Sequence, residues 1–206
     1  MESIWELALD RRFPGGGEVS IMQRHQRLWS AALSFTILTL SAAGHAALSG
    51  ASDPQVAFQA SGPAGMKITG TTADLSVAED AAGNVVVSVP LSNLTTGIAL
   101  RDRHMKEKYL EVPKYPAATL TIARAALSLP APGQKIEGDA RAMLVLHGQT
   151  RPVSIHYDTT AEGAGFSAHG KFRINMNEFG ISVPSYLGVT VKPDVDVSAS
   201  FRVAGS

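Results

Sequence analysis

The stretch VTVKPDVDVSASFRV, residues 189–203, reads as β-strand with one dry face and one wet face. Val189, Val191, Pro193, Val195, Val197, Ala199, Phe201 and Val203 share one parity. Thr190, Lys192, Asp194, Asp196, Ser198, Ser200 and Arg202 share the other. Successive side chains of a strand point to opposite faces, so a period of two separates a buried face from a solvated one. Pro193 cannot donate a ladder hydrogen bond and is expected at an edge, a bulge or a bend.

The same division recurs upstream. Phe166, Ala168, Gly170, Phe172 and Ile174 oppose Ser167, His169, Lys171, Arg173 and Asn175; Val153, Ile155 and Tyr157 oppose Ser154, His156 and Asp158. Ala142, Leu144 and Leu146 share a parity against Arg141 and His147, and Val85, Val87, Val89 and Leu91 form a further set. Thr119–Ile122 and Leu127–Leu129 are shorter candidates. Between Met66, Ile68 and Leu75, Val77 the parity switches, which predicts a bulge or bend near Gly70. Asp80–Asn84, Pro130–Gly133 and Glu162–Gly165 carry turn residues, and links this short imply antiparallel neighbours. One segment differs. Ala99–Leu110 is rich in helix formers, with Met105 and Tyr109 four apart on one face, before Val112-Pro113 and Tyr115-Pro116 force an extended chain.

Seven or eight such strands make a sandwich or a barrel. Small residues (Gly170, Ala168, Ala142, Ala199) alternate on the dry face with Phe172, Phe166, Leu144 and Phe201. An eight-stranded barrel has just enough interior for its own side chains or for one small ligand. The small residues either leave room for a ligand or accommodate their bulky neighbours; the residues alone support both.

Composition removes whole classes of function. The chain has 206 residues, 45% of them hydrophobic, with 18 basic and 18 acidic side chains and no cysteine. Disulfides, thiol nucleophiles, Fe–S clusters and cysteine-ligated zinc are therefore out. Zero net charge gives no electrostatic case for nucleic acid. Residues 22–46 have the layout of a cleavable secretory signal: Arg24 and Arg27, an uncharged apolar run from Leu28 to Leu40, then small residues around Gly44-His45-Ala46. The apolar run is short for a bilayer span, so no stable membrane span is expected after cleavage. Residues 1–21 suit no targeting role, and translation is expected to start at Met22. That leaves residues 47–206 as one domain, with 14 basic and 14 acidic residues once the four of each sign in the leader are removed.

Three ordered motifs carry a family resemblance. The first runs Leu94-Thr95-Thr96-Gly97, Arg101-Asp102-Arg103-His104-Met105, Tyr109-Leu110-Glu111-Val112 and Lys114-Tyr115-Pro116-Ala117. The second is Leu144-Val145-Leu146-His147-Gly148-Gln149-Thr150-Arg151-Pro152-Val153. The third is Asn177-Glu178-Phe179-Gly180-Ile181. Together they resemble the YceI-like family over most of residues 56–203. The segment before Leu94 is shorter than the family's and lacks its Ser-x-His opening. The resemblance implies an all-β fold, an extended antiparallel eight-stranded lipocalin-like barrel with one short helix inserted between strands. It also implies a periplasmic protein that holds a polyisoprenoid or another long-chain lipid inside the barrel.

Expected lining residues, at the barrel interior or mouth, are Phe58, Leu94, Met105, Tyr109, Leu144, Phe166, Ala168, Gly170, Phe172, Phe179 and Tyr186; each serves equally well as ordinary core. No cofactor is expected and no catalytic residue is assigned. Of the mature histidines, His147, His156 and His169 fall on the wet parity, and none shows metal-ligand spacing with another. A hydrogen bond from His147 to a nearby carbonyl explains its place in the motif as well as catalysis does. Gly165-Phe166-Ser167-Ala168-His169 lacks the second glycine of a nucleophile elbow. The charges of residues 101–108 read as solvated helix pairs, or as a basic group at the barrel mouth meeting a lipid head group; Arg101 and Asp102 are expected to fix the helix to the barrel. Apolar burial at about 25 cal/mol per Å² lets a carrier bind a lipid tail with no conspicuous motif. A carrier would serve transport, storage or stress protection; an enzyme or stress-response protein acting on a lipid-like substrate at the mouth, and a closed barrel that only binds partners, are the competing classes. Long edge strands permit a homodimer.

Overall fold

Residues 50–186 and 189–204 are described by a computed structural model. The signal segment 22–46, the segment 1–21 and the side chain of Tyr186 lie outside the described residues. In chain order the strands are β1 (Ser52–Ser61), β2 (Lys67–Thr72), β3 (Ser76–Glu79), β4 (Asn84–Pro90), β5 (Ala117–Ala123), β6 (Lys135–Leu146), β7 (Gln149–Glu162), β8 (Gly165–Asn175), β9 (Ser185–Tyr186), β10 (Val189–Thr190) and β11 (Asp194–Val203). The helix α1 (Ala99–His104) lies between β4 and β5 and continues as a π-turn over Met105–Tyr109.

Nine strands form one antiparallel sheet in the order β2-β1-β11-β8-β7-β6-β5-β4-β3, and β9 and β10 form a separate ribbon. The two edge strands, β2 and β3, are consecutive in the chain and joined by only Ala73, Asp74 and Leu75. Three residues span at most about 14 Å between the flanking Cα atoms, so the sheet curls until edge meets edge. Thr71 bridges Thr95, and the Gly50 N–H donates to the Val77 carbonyl at 3.0 Å across the same seam. β2 and β3 together fill one position on the circumference, so nine strands occupy the eight positions of the expected barrel.

The parity switch lies later than expected. It falls at residues 73–75, where the Asp74 N–H donates to Thr72 Oγ1 at 3.1 Å, and not at Gly70. Gly70 instead sits opposite Phe58 in the ladder with the aromatic ring laid across it. Pro193 breaks the 189–203 stretch into β10 and β11, because a residue with no N–H cannot carry the ladder through. Pro152 stands within β7 where β6 pairs on one side, whereas the pairing with β8 begins only at His156.

The apolar interior is two clusters. The larger gathers Leu91, Leu94, Ala142, Leu144, Leu146, Val153, Ile155, Met176 and Phe179 at the end that carries α1; Phe172 and Val197 pack against it. The smaller gathers Val56, Leu75, Val77, Val85 and Val87, with Ala199 and Phe201 against it. Leu120 and Leu127 pack against both clusters, so the smaller one is a satellite bridged to the main core.

Candidate functional site: the inner wall of β8 and β11

Every inward side chain of β6 and β7 from Ala140 to Leu146 and from Val153 to Thr159 is buried. On β8 only Ile174 is; Phe166, Ala168, Gly170 and Phe172 are half-buried. On β11 the ends, Val195 and Val203, are buried, and Val197, Ala199 and Phe201 between them are half-buried. The inward-parity wall is therefore less completely covered along β8 and β11 than along β6 and β7.

Register explains the gap. Gly170 pairs with Ala199, the smallest pair on this wall, between Val197–Phe172 and Phe201–Ala168. The two core clusters part at this level, since Phe172 and Val197 belong with one and Ala199 and Phe201 with the other. Glycines elsewhere in the wall are covered: the Phe58 ring lies over Gly70, and the Tyr157 ring lies against Gly138, where its hydroxyl accepts from the Ser128 N–H at 3.0 Å. Gly170 has no such cover, and a Cβ there would meet only Ile155 Cγ2, at 3.6 Å. Opposite Ala168, Thr159 is 94% buried and its Oγ1 has no hydrogen-bond partner.

The expected lining residues divide accordingly. Phe166, Ala168, Gly170 and Phe172 share the less covered wall. Phe58, Met105 and Tyr109 are half-buried against the larger cluster. Leu94, Leu144 and Phe179 are closed into that cluster; Phe179 is 1% exposed. Two open grooves, of about 610 and 720 Å³, meet at Gln55, His169 and Ser200, and inward-parity Ala168, Ala199 and Phe201 reach them. Of the expected residues only Ala168 touches either groove.

The family-motif residues form two braces at the helix-bearing end. In the first, Asp102 accepts from the Thr96 N–H at 2.7 Å, from Thr95 Oγ1 at 2.6 Å and from the Thr96 hydroxyl. Arg101 donates to Thr96 Oγ1 and to the Thr96 carbonyl at 2.7 and 2.8 Å. Partial burial pushes the Asp102 carboxyl up, but these bonds outweigh it and hold the group below the ordinary aspartate value. The pair fixes the helix to its own loop, and His104 points to solvent.

The second brace contains a correction. Parity puts His147 on the wet face, whereas its side chain is only 13% exposed. His147 and Gly148 are a two-residue hairpin turn with φ of 51° and 71°, the left-handed geometry that joins strands most tightly. The turn ends the alternation, and the ring folds inward. Nδ1 hydrogen-bonds the Phe179 carbonyl at 3.1 Å, the ring meets Tyr115 at 4.7 Å, and Nε2 stands 3.7 Å from Glu111. Arg151 donates to the Glu178 carbonyl at 3.1 Å, while Thr150 and Pro152 lie exposed on β7 and Pro116 accepts from the Leu91 N–H at 2.9 Å. Glu111, with φ of 45°, lies inside the first motif without an assigned role, and only the fold brings it to His147.

On the wet face, His156 lies between Asp139 and Glu137 at 3.0 and 2.8 Å, and His169 meets Asp158 at 3.1 Å. Burial pushes the Asp158 carboxyl up, but the His169 bond and Lys135 hold it below its ordinary value. Among the described residues no group of three or more histidine and carboxylate side chains is placed to hold a metal ion.

The chain is similar to a set of proteins of known sequence and structure. It is 32% identical over 136 residues to a UPF0312 protein of Pseudomonas savastanoi, and equally to one of Pseudomonas syringae pv. syringae. It spans 66% of the length of each, which is 62% of its own. A polyisoprenoid-binding domain from Saccharophagus degradans implicated in plant cell wall breakdown superposes with a TM-score of 0.64 at 19% identity, over 78% of this chain and 99% of that domain. BcnA of Burkholderia cenocepacia superposes at 0.58 and 17% identity, over 72% of this chain and 95% of its own. These likenesses show the fold. The YceI-like domain model matches residues 48–203, and the chain belongs to that family.

Proposed function

We propose that this protein is a lipid carrier that holds a polyisoprenoid or a similar long-chain amphiphile inside the barrel, in the periplasm, and performs no chemistry on it. The observation that carries this reading is the half-buried inner wall around the Gly170–Ala199 pair, set between two apolar clusters. Exposed apolar wall is costly unless something covers it: about 300 Å² of tail buried there contributes roughly 7 kcal/mol, enough for micromolar binding. The polyisoprenoid-binding domain of Saccharophagus degradans, which shares the fold, supports the choice of ligand. The leader at residues 22–46 supports the compartment.

The test is Gly170→Leu, measured by titration with a fluorescent polyprenyl probe. A Cβ at Gly170 meets only Ile155 Cγ2 at ordinary contact distance, and the melting curve of the variant reports whether it folds. Probe affinity is expected to fall at least about tenfold, as two or more methylenes of tail lose their place. Unchanged affinity in a folded variant would contradict the site.

A further inference from the structure

Five large apolar side chains are exposed among the described residues: Met66, Ile98, Leu100, Met143 and Val145. All lie at one end of the barrel. Met66 immediately precedes β2, Met143 and Val145 are within four residues of the end of β6, and Ile98 and Leu100 begin the α1 crossover, all where β4 ends and β5 begins. Ile98 and Leu100 are the most exposed, at 53% and 50%.

Ile98 is also a poor choice for its local role. It is the N-cap of α1, a position that favours serine, threonine, aspartate or asparagine, and it makes no side-chain capping bond. A residue that weakens its own helix and exposes its side chain marks a conflict between local structure and use.

The charge at this end fits the same use. The crossover from Leu91 to Pro116 carries Arg101, Arg103, Lys106, Lys108 and Lys114 against Asp102, Glu107 and Glu111, a net charge of +2. At the opposite end the strand termini and turns carry Asp53, Glu79, Asp80 and Glu162 against Arg124, Lys135 and Arg202, a net charge of −1. Arg101 and Asp102 are engaged with the Thr95-Thr96 loop and Lys106 stands near Asp102, so the exposed Arg103 and Lys108 face Glu107 on the rest of the helix.

From these observations we infer that the helix-bearing end docks on an anionic phospholipid bilayer, with Ile98 and Leu100 entering the headgroup boundary and Arg103 and Lys108 meeting lipid phosphates. Apolar side chains beside basic ones are the composition of an interfacial contact, and each lysine or arginine near an anionic leaflet adds to its hold. The inference extends the carrier reading by giving the surface from which a cargo is received. Its test does not depend on what the interior holds.

The absence of cysteine makes the test direct. Ala99→Cys on α1 and Ala131→Cys at the opposite end are each labelled, in the full chain, with a polarity-sensitive dye. Vesicles of phosphatidylcholine are compared with vesicles that also contain phosphatidylglycerol. The dye at position 99 is expected to shift to the blue on the anionic vesicles only, and the dye at 131 to stay unchanged. Ile98→Ser, which supplies a better N-cap, is expected to raise the melting temperature while weakening the partition read at position 99 at least about tenfold. The inference is overturned by equal shifts at both positions, by no shift at 99, by an equal response to zwitterionic vesicles, or by full partition in Ile98→Ser. A shift at 99 that grows with protein concentration in the absence of vesicles would assign the surface to a second copy of the chain and overturn it too. Loss of vesicle response with retained polyprenyl binding would leave the carrier reading standing.

Discussion

Single residues decide where this wall is closed and where it is open. Gly70 and Gly138 are covered by rings, Gly170 is bare, and Gly148 sits under Tyr115 with φ of 71°. A Cβ at Gly148 would stand 2.6 Å from the Tyr115 ring in a conformation that L-residues resist. Gly148→Ala is expected to cost about 2 kcal/mol of stability, read by urea denaturation; a cost near zero would contradict the brace. Thr159 offers the opposite case. Its Oγ1 is buried without a partner, so Thr159→Val is expected to raise the stability of the empty protein by about 1 kcal/mol. At this scale the sequence was partly legible. The alternation gives Phe166, Ala168, Gly170 and Phe172 the parity of buried Ile174, and all four are half-buried. It could not show which glycines a ring covers, because the Phe58–Gly70 and Tyr157–Gly138 contacts depend on cross-strand register. His147 was misplaced because parity runs straight through a turn that only its two positive φ angles reveal.

The elements hold through a few polar braces, and the helix depends on one carboxylate. Asp102 titrates below the ordinary aspartate value of about 3.9 in the folded chain. Its charged form is the bonded form, so it contributes stability above that value and loses the contribution as the pH falls through the lower folded value. Protection of the Thr96 amide against hydrogen exchange is therefore expected to fade below about pH 4, ahead of global unfolding. Protection that persists until the whole sheet melts would contradict the brace. The helix itself was legible from its composition between strand-like segments. The strand breaks were less so. Pro193 was expected at a bend and lies at one, but the switch between β2 and β3 was placed at Gly70 and falls at residues 73–75, because Gly70 is used to seat a ring and not to bend the chain.

At the scale of the molecule, a chain of zero net charge is arranged with opposite signs at its two ends and with an inner wall left less covered on one side. Neither arrangement is visible in composition, since both arise when distant loops are gathered at the same end of the sheet. The two-faced strands were legible in the period of two, whereas their curl into a barrel rested on the family resemblance. The filling of the barrel was not, because small inward residues serve an open lumen and a packed core equally well until their exposure is known. The claim that most needs testing is that a lipid covers this wall in the cell. Native mass spectrometry of the protein purified from its own host, under conditions that keep non-covalent complexes, tests it directly. The account predicts a mass excess that organic extraction removes and that is absent from Gly170→Leu. A wild-type protein that emerges at the mass of its bare chain would contradict it.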